Sequence, residues 1–195
     1  MPDQKHQHFI LNKPYGYLSQ FITNQKVRRN KKMLGELHNF PAGTMAIGRL
    51  DESTEGLLLL TTNGKVSRLI TGRSIEKEYY VQVDGMVTEE AIKKLQNGVD
   101  ITVGKETYKT LPGKAFIINP TPKFHPRAKP IRDERHGPTS WISITITEGK
   151  NRQVRKMTAA VGFPTLRLVR VRIGNVKLND LEPGAVIEVT EFSLD

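Results

Sequence analysis

Short apolar runs broken by turn residues dominate the chain, and only a few stretches carry helical spacing. Phe9 to Leu11 is apolar and ends in Asn12-Lys13-Pro14, the pattern of a strand feeding a turn. Gly56 to Thr62 holds four consecutive leucines between Gly56 and Asn63-Gly64, which fits a buried strand, although four leucines fit a helix equally well. Lys77 to Asp84 is rich in aromatic and β-branched residues and reads as a strand. Thr88 to Asn97 predicts a helix, with Thr88 as its cap, Glu89 and Glu90 at the positive end of its dipole, and Gly98 as its stop. A strand over Ile101 to Val103 and another over Lys114 to Ile118 follow.

The segment from Asn119 to Pro138 contains five prolines and is too long for a mere connector. Trp141 to Thr147 then alternates apolar and polar residues, which predicts a strand with one buried face. Beyond Glu148-Gly149, the stripe Val154, Met157 and Val161 predicts a helix starting near Asn151 and ending at Gly162. Leu166 to Ile173 and Val186 to Thr190 complete the strands. Helices and strands alternate without a steady βαβ rhythm, so the expected class is α+β with a mixed, mostly antiparallel sheet.

The chain has 195 residues, no cysteine and a net charge of +10. That length buries a core without staples, and the lack of thiols removes Cys-based zinc, iron–sulfur and thiol chemistry. The longest leucine run is far shorter than the roughly 18 residues of a membrane span, and the N-terminus lacks a signal-peptide core, so a cytoplasmic location is expected. The excess charge falls in one-sign blocks. KVRRNKK, Lys26 to Lys32, has five basic residues and no acid; Lys150 to Arg172 has seven and no acid; KFHPRAKPIRDER, Lys123 to Arg135, is rich in Pro and Arg. Solvated faces usually mix their signs, so these blocks point to a phosphate-tracking surface and a nucleic-acid partner.

Candidate chemistry concentrates in Gly48-Arg-Leu-Asp-Glu-Ser-Thr-Glu-Gly56. Asp51, Glu52 and Glu55 are possible hard-cation ligands, but the spacing matches no calcium loop. An acid beside Arg49 in a basic protein gains nothing for phosphate grip, which makes Asp51 a candidate nucleophile or base. Arg152, Arg155 and Lys156 share one helical face, and cations in a first turn oppose the dipole. Their expected task is phosphate contact or pairing with a catalytic carboxylate. Alternation puts Tyr79 and Tyr80 on opposite faces, so only one can serve a given site. His6 and His8 read as part of a solvated tail. No Walker A loop, GxGxxG or Gly-x-Ser-x-Gly elbow is present. An inactive RNA-binding protein and a metal-dependent nuclease remain the competing classes.

Four motifs follow in order: Phe9-Ile-Leu-Asn-Lys-Pro-Tyr-Gly16, Gly48-Arg-Leu-Asp-Glu-Ser-Thr-Glu-Gly-Leu-Leu-Leu-Leu60, Lys77-Glu-Tyr-Tyr-Val81 and Glu148-Gly-Lys-Asn-Arg-Gln-Val-Arg-Lys-Met157. With these the chain resembles the RsuA-like family of bacterial ribosomal RNA pseudouridine synthases, over nearly its whole length. Pro130 to Arg135, Pro138 to Ile142 and Gly162 to Leu168 narrow the resemblance to members acting on 23S ribosomal RNA. The resemblance implies a pseudouridine synthase fold with flanking helices and two ferredoxin-like halves around a catalytic cleft. The expected organisation is a flexible segment 1–8 and a catalytic domain 9–192, its halves being roughly 9–50 plus 139–192, and 51–138. Since the first motif begins at Phe9, no RNA-binding module of the S4 type is expected before it.

By the same resemblance, Asp51 is the essential aspartate, Tyr79 packs on the target uracil, Arg155 salt-bridges the aspartate, and Arg49 enters the RNA stack that the base leaves. Lys13, Arg28, Arg29, Lys31, Lys32, Lys129, Arg132, Lys150, Arg152 and Lys156 are expected RNA contacts. The implied reaction isomerises a uridine within RNA and needs no cofactor; no metal is expected, and a monomer is expected because no exposed apolar stripe suggests a self-association face. The carboxylate can attack C1′ or C6, or remove the C2′ proton; the residues do not choose among these routes.

Overall fold

The computed structural model describes residues 6–22, 31–72 and 74–194. In chain order its elements are β1 (His8–Lys13), β2 (Tyr17–Leu18), β3 (Lys32–Met33), β4 (Met45–Ile47), β5 (Glu55–Thr61), α1 (Gly64–Gly72), β6 (Lys77–Asp84) and α2 (Glu89–Asn97). These are followed by β7 (Asp100–Val103), β8 (Glu106–Lys109), β9 (Lys114–Ile117), β10 (Thr139–Ile146), α3 (Gln153–Ala160), β11 (Thr165–Ile173), β12 (Val176–Lys177) and β13 (Val186–Val189). The main sheet runs β13-β1-β5-β11-β6-β10-β9, with β4 on β5 and β12 on β11. Its pairings are antiparallel except for the short parallel contact of β5 with β11.

Apolar cores lie on both faces of this sheet. One joins Leu58, Leu60, Val81, Ile142 and Ile144 to α2 and α3; the other joins Leu57, Leu59 and Val169 to Ile70 of α1. Two covered faces explain why all of β5 is buried and why its leucines run without alternation. The same cause corrects the expectation for β10, whose threonines and serines were to face water: residues 140–146 are all buried. Ser143 donates to Glu78 at 2.8 Å and Ser140 to Gly85 O at 2.8 Å, so these hydroxyls are satisfied internally.

Helix α2 follows its sequence signals. The Thr88 side chain accepts from Ala91 N, and Ala91, Ile92 and Leu95 form its buried stripe. Helix α1, whose Asn63 side chain accepts from Lys65 N at 3.0 Å, lies where turn signals alone were visible. The strands do not group by the expected chain halves. β1, β5, β6, β9, β10, β11 and β13 all lie in one sheet, in which β11 links β5 to β6. The N-terminal tail is also shorter than expected: His8 starts β1, is buried, and meets the Phe192 ring edge-on at 5.2 Å. Burial lowers its pKa from the ordinary histidine value. Among the described residues no helix is long and apolar enough to cross a membrane.

Candidate active site

The loop 48–54 crosses the point where β5 meets β11, and backbone contacts hold it on both sides of Asp51. Ser19 Oγ donates to Leu50 O at 2.8 Å and accepts from Leu50 N at 3.0 Å. Gly16 N donates to Glu52 O at 2.8 Å, and Thr54 N donates to Asp51 O at 3.0 Å. Arg155 donates to Ser53 O at 3.0 Å and to Thr54 Oγ1 at 3.3 Å. The strand after the loop approaches β11 so closely that a Cβ on Gly56 would lie 2.3 Å from Arg170 O; Gly56 also has φ +103.

A cavity of about 460 Å³ opens beneath this loop. Asp51, Arg49, Tyr79, Lys150 and Arg152 line it, together with Lys77 and Arg170. Its size falls within the range of small-ligand sites, and the apolar Leu50, Val154 and Leu168 form part of its wall. Tyr79 is nine-tenths buried there, whereas Tyr80 points to the other face and meets Phe124 edge-on at 6.2 Å. The alternation of β6 therefore separates the two tyrosines as expected.

Asp51 pairs with Arg152, Nη1 to Oδ2 at 3.4 Å, and not with Arg155. This corrects the pairing expected for Arg155, and the cause is local. Helix α3 begins at Gln153, so Arg152 is its N-cap, with φ 53 in the left-handed region. Outside the helix, its side chain turns toward Asp51 instead of sharing a face with Arg155 and Lys156. Arg155 supports the loop from behind; burial and the neighbouring Arg152 lower its pKa, while Asp51 acts against that shift. Glu148 anchors the opposite rim by accepting from Gln153 Nε2 at 2.6 Å, Leu111 N at 2.9 Å and the Tyr108 hydroxyl. Lys150 lies over the Tyr108 ring at 4.7 Å.

Several expected RNA contacts are occupied elsewhere. Lys13 is fully buried, with its ammonium donating to Tyr17 O at 2.8 Å, Pro14 O at 3.0 Å and Glu52 O at 3.5 Å. It braces the Asp51 loop and cannot reach a phosphate. Burial lowers its pKa to about 7, against the pull of Glu55, Asp51 and Glu52. Lys31 pairs with Glu52 at 2.6 Å, Arg132 with Asp84, and Lys32 lies over the Tyr17 ring at 5.4 Å. Lys129 is exposed; Lys156 is half-buried on α3, away from the cavity lining. Arg28 and Arg29 lie outside the described residues.

Two arginines near the end of the basic block are also paired internally. Arg167 bonds Glu55 through two nitrogens, at 2.7 and 3.0 Å, with both side chains almost wholly buried. Arg172 bonds Glu76 at 3.0 Å and Glu78 at 2.9 Å. Since Glu52 and Glu55 each hold a cation, the three acids Asp51, Glu52 and Glu55 do not converge. No metal-ligating cluster occurs among the described residues.

The Pro-rich segment packs on the face opposite Tyr79. Phe124 lies 5.5 Å from Trp141 and under the Arg167 guanidinium, and Arg127 stacks over Tyr15 at 4.7 Å. Sequence reasoning passed over Lys77 and Arg170 as site residues. The signal available was alternation: Lys77 shares a face with Tyr79, and Arg170 is the residue opposite Tyr79 in the β11–β6 register.

Comparison with known proteins follows the same lines. Residues 7–160 match the sequence family described as RNA pseudouridylate synthase. The chain is 44% identical over 176 residues to the ribosomal large subunit pseudouridine synthase E of Xanthomonas axonopodis pv. citri, covering 89% of each chain. It is 42% identical over 189 residues to the protein of the same name from Vibrio parahaemolyticus, covering 95% of this chain and 75% of that one. A crystal structure of a pseudouridylate synthase superimposes with a TM-score of 0.75 at 28% identity, covering 97% of this chain and 72% of that one.

Proposed function

The chain belongs to the RNA pseudouridylate synthase family, and from that membership we propose that it converts a specific uridine of 23S ribosomal RNA to pseudouridine, with Asp51 as nucleophile on a flipped-out base. The observation that carries the reading is one cavity holding both Asp51 and a buried tyrosine, Tyr79, under a loop braced at each residue flanking the aspartate.

A base within a stem must leave the stack before its glycosidic bond can be reached. Tyr79 offers a π-face for the extruded uracil, and Arg49, exposed at the rim, offers a planar cation for the vacated space. Asp51 keeps a third of its side-chain surface accessible, so it can meet the nucleoside, and Arg152 pairs with it at 3.4 Å. In the reaction the Asp51 carboxylate bonds C1′ as the C1′–N1 bond breaks with its electron pair going to the base, and the carboxylate leaves C1′ when C5 attacks. The uracil turns, C5 bonds to C1′, the C5 proton leaves, and N1 takes up a proton. Every atom is retained, so no cofactor is consumed. Arg155 is a positioning residue: it holds Ser53 and Thr54, and through them the aspartate.

Pseudouridine mapping of unmodified 23S transcript treated with the protein tests this reading. The Asp51→Asn variant is expected to lose product formation by at least a thousandfold while binding the transcript within a few-fold of wild type. Full activity in that variant would remove Asp51 from its role. RNA cleavage that stops on adding a chelator would instead favour a nuclease.

A further inference from the structure

We propose that Arg170, with Lys77 beside it, forms a cationic floor to the cavity and stabilises the negative charge on the uracil while that base is detached from the ribose. The inference rests on the pseudouridine synthase reading and assigns two residues to a step for which Asp51, Tyr79 and Arg155 provide nothing.

Arg170 is 4% exposed and lines the cavity. Its Nε donates to Leu57 O at 2.8 Å, but its buried Nη2 meets no acceptor among the described residues. Lys77 lies two residues before Tyr79 on the same face of β6, also lines the cavity, and donates to Ile75 O at 2.9 Å and Thr147 O at 3.3 Å. Among the described residues neither cation has a carboxylate within ion-pair distance. The neighbouring acids are engaged: Asp51 with Arg152, Glu148 with its three donors, and Glu78 with Arg172 and Ser143. Burial and the charge of Arg170 both lower the pKa of Lys77.

Two like charges, one buried and one half-buried, with no carboxylate beside them among the described residues oppose folding. Such an arrangement becomes favourable once an anion enters the cavity. A neutral uridine carries none, but its reaction creates one. Heterolysis of C1′–N1 leaves the electron pair on N1, and conjugation spreads it to O2 and, through C5=C6, to O4. Arg170 sits directly across from Tyr79 in the strand register, so the edge of a base lying on the Tyr79 ring comes next to the guanidinium fork. Preorganised donors in a water-poor site act most strongly on charge that appears only during reaction. Both side chains keep their protons throughout, and the electron pair returns to carbon when C5 attacks C1′.

Single-turnover kinetics on unmodified 23S transcript, with wild type, Arg170→Gln and Lys77→Gln, test the floor. Arg170→Gln is expected to slow pseudouridine formation about 100-fold, with transcript affinity and its salt dependence unchanged. On transcript carrying 5-fluorouridine, whose base departs more readily as an anion, the same variant is expected to slow loss of the nucleoside by much less. Lys77→Gln, at the half-buried start of β6, is expected to show the same pattern with about tenfold effects, and it carries the test should thermal melts show Arg170→Gln to be unfolded. Unimpaired rates in the folded variants, or equal losses on both substrates, would overturn the proposal. Weaker transcript binding with a shallower salt slope would overturn it too, by marking a phosphate contact. A wild-type protein that makes no pseudouridine would refute the functional reading itself, whereas an active wild type with unaffected variants would refute the floor alone.

Discussion

Lys13 shows how far a side chain's role depends on what surrounds it. In Asn12-Lys13-Pro14 it reads as a surface cation beside a turn, yet its ammonium is enclosed by three carbonyl groups, including that of the residue following Asp51. Its folded pKa of about 7 lies below the ordinary 10.5. Between those values the unfolded chain holds the proton and the folded chain does not, so this group makes stability rise with pH from about 7 to about 10.5. The gain is on the order of a few kcal/mol. Urea denaturation across pH 6 to 10 should show that rise in wild type and a flatter profile in Lys13→Met. Parallel profiles would place the titration elsewhere. Asp51 and Tyr79 were legible as candidates because their motifs are distinctive and β6 alternates; the partner of Asp51 was not, because it turns on one residue's departure from helical geometry at Arg152.

Among the elements, α2 was the most legible, whereas the four leucines of β5 fitted a helix as well as a strand. Capping, dipole and stop signals are local, and they agree at α2 with the packing of its buried stripe. Strand β10 and the basic strand β11 were less so, since whether a strand has one or two covered faces depends on what folds over it. The approach of β5 to β11 carries a direct consequence. Gly56→Ala places a methyl group against the Arg170 backbone at a left-handed φ, and is expected to destabilise the fold by about 3 kcal/mol. Because Gly56 follows the Asp51 loop, activity at temperatures well below the melting point should fall as well. Chemical denaturation and single-turnover assays on the same preparation check the two effects. A change within 0.5 kcal/mol, roughly that of an ordinary surface substitution, would show that the strands can separate without loss.

For the molecule as a whole, the net charge of +10 divides into two populations. Arg132, Arg167 and Arg172 are paired to acids from distant parts of the chain. Arg49, Lys150 and Arg152 line the cavity. Fewer residues than the linear blocks implied are therefore unpaired candidates for phosphate grip among the described residues, and Arg28 and Arg29 are further candidates for it. Reversing both charges is expected to weaken transcript binding and to make the plot of log affinity against log salt shallower by about 1 to 2 units. Thermal stability should stay within a few degrees of wild type. An unchanged slope would exclude those arginines from the interface.

By itself the sequence determined the sheet class, most of the longer strands and helices α2 and α3, though not α1, and it marked Asp51 and Tyr79 as candidates. These follow from alternation, caps and motif spacing, which are properties of neighbouring residues. Only the tertiary structure decided which cations are paired to acids, which brace the loop, and that Arg170 and Lys77 line the cavity with Tyr79, with no carboxylate in ion-pair distance of either among the described residues. A charge acquires its role from desolvation and from partners as distant as the 112 residues between Glu55 and Arg167. Linear spacing carries no record of either.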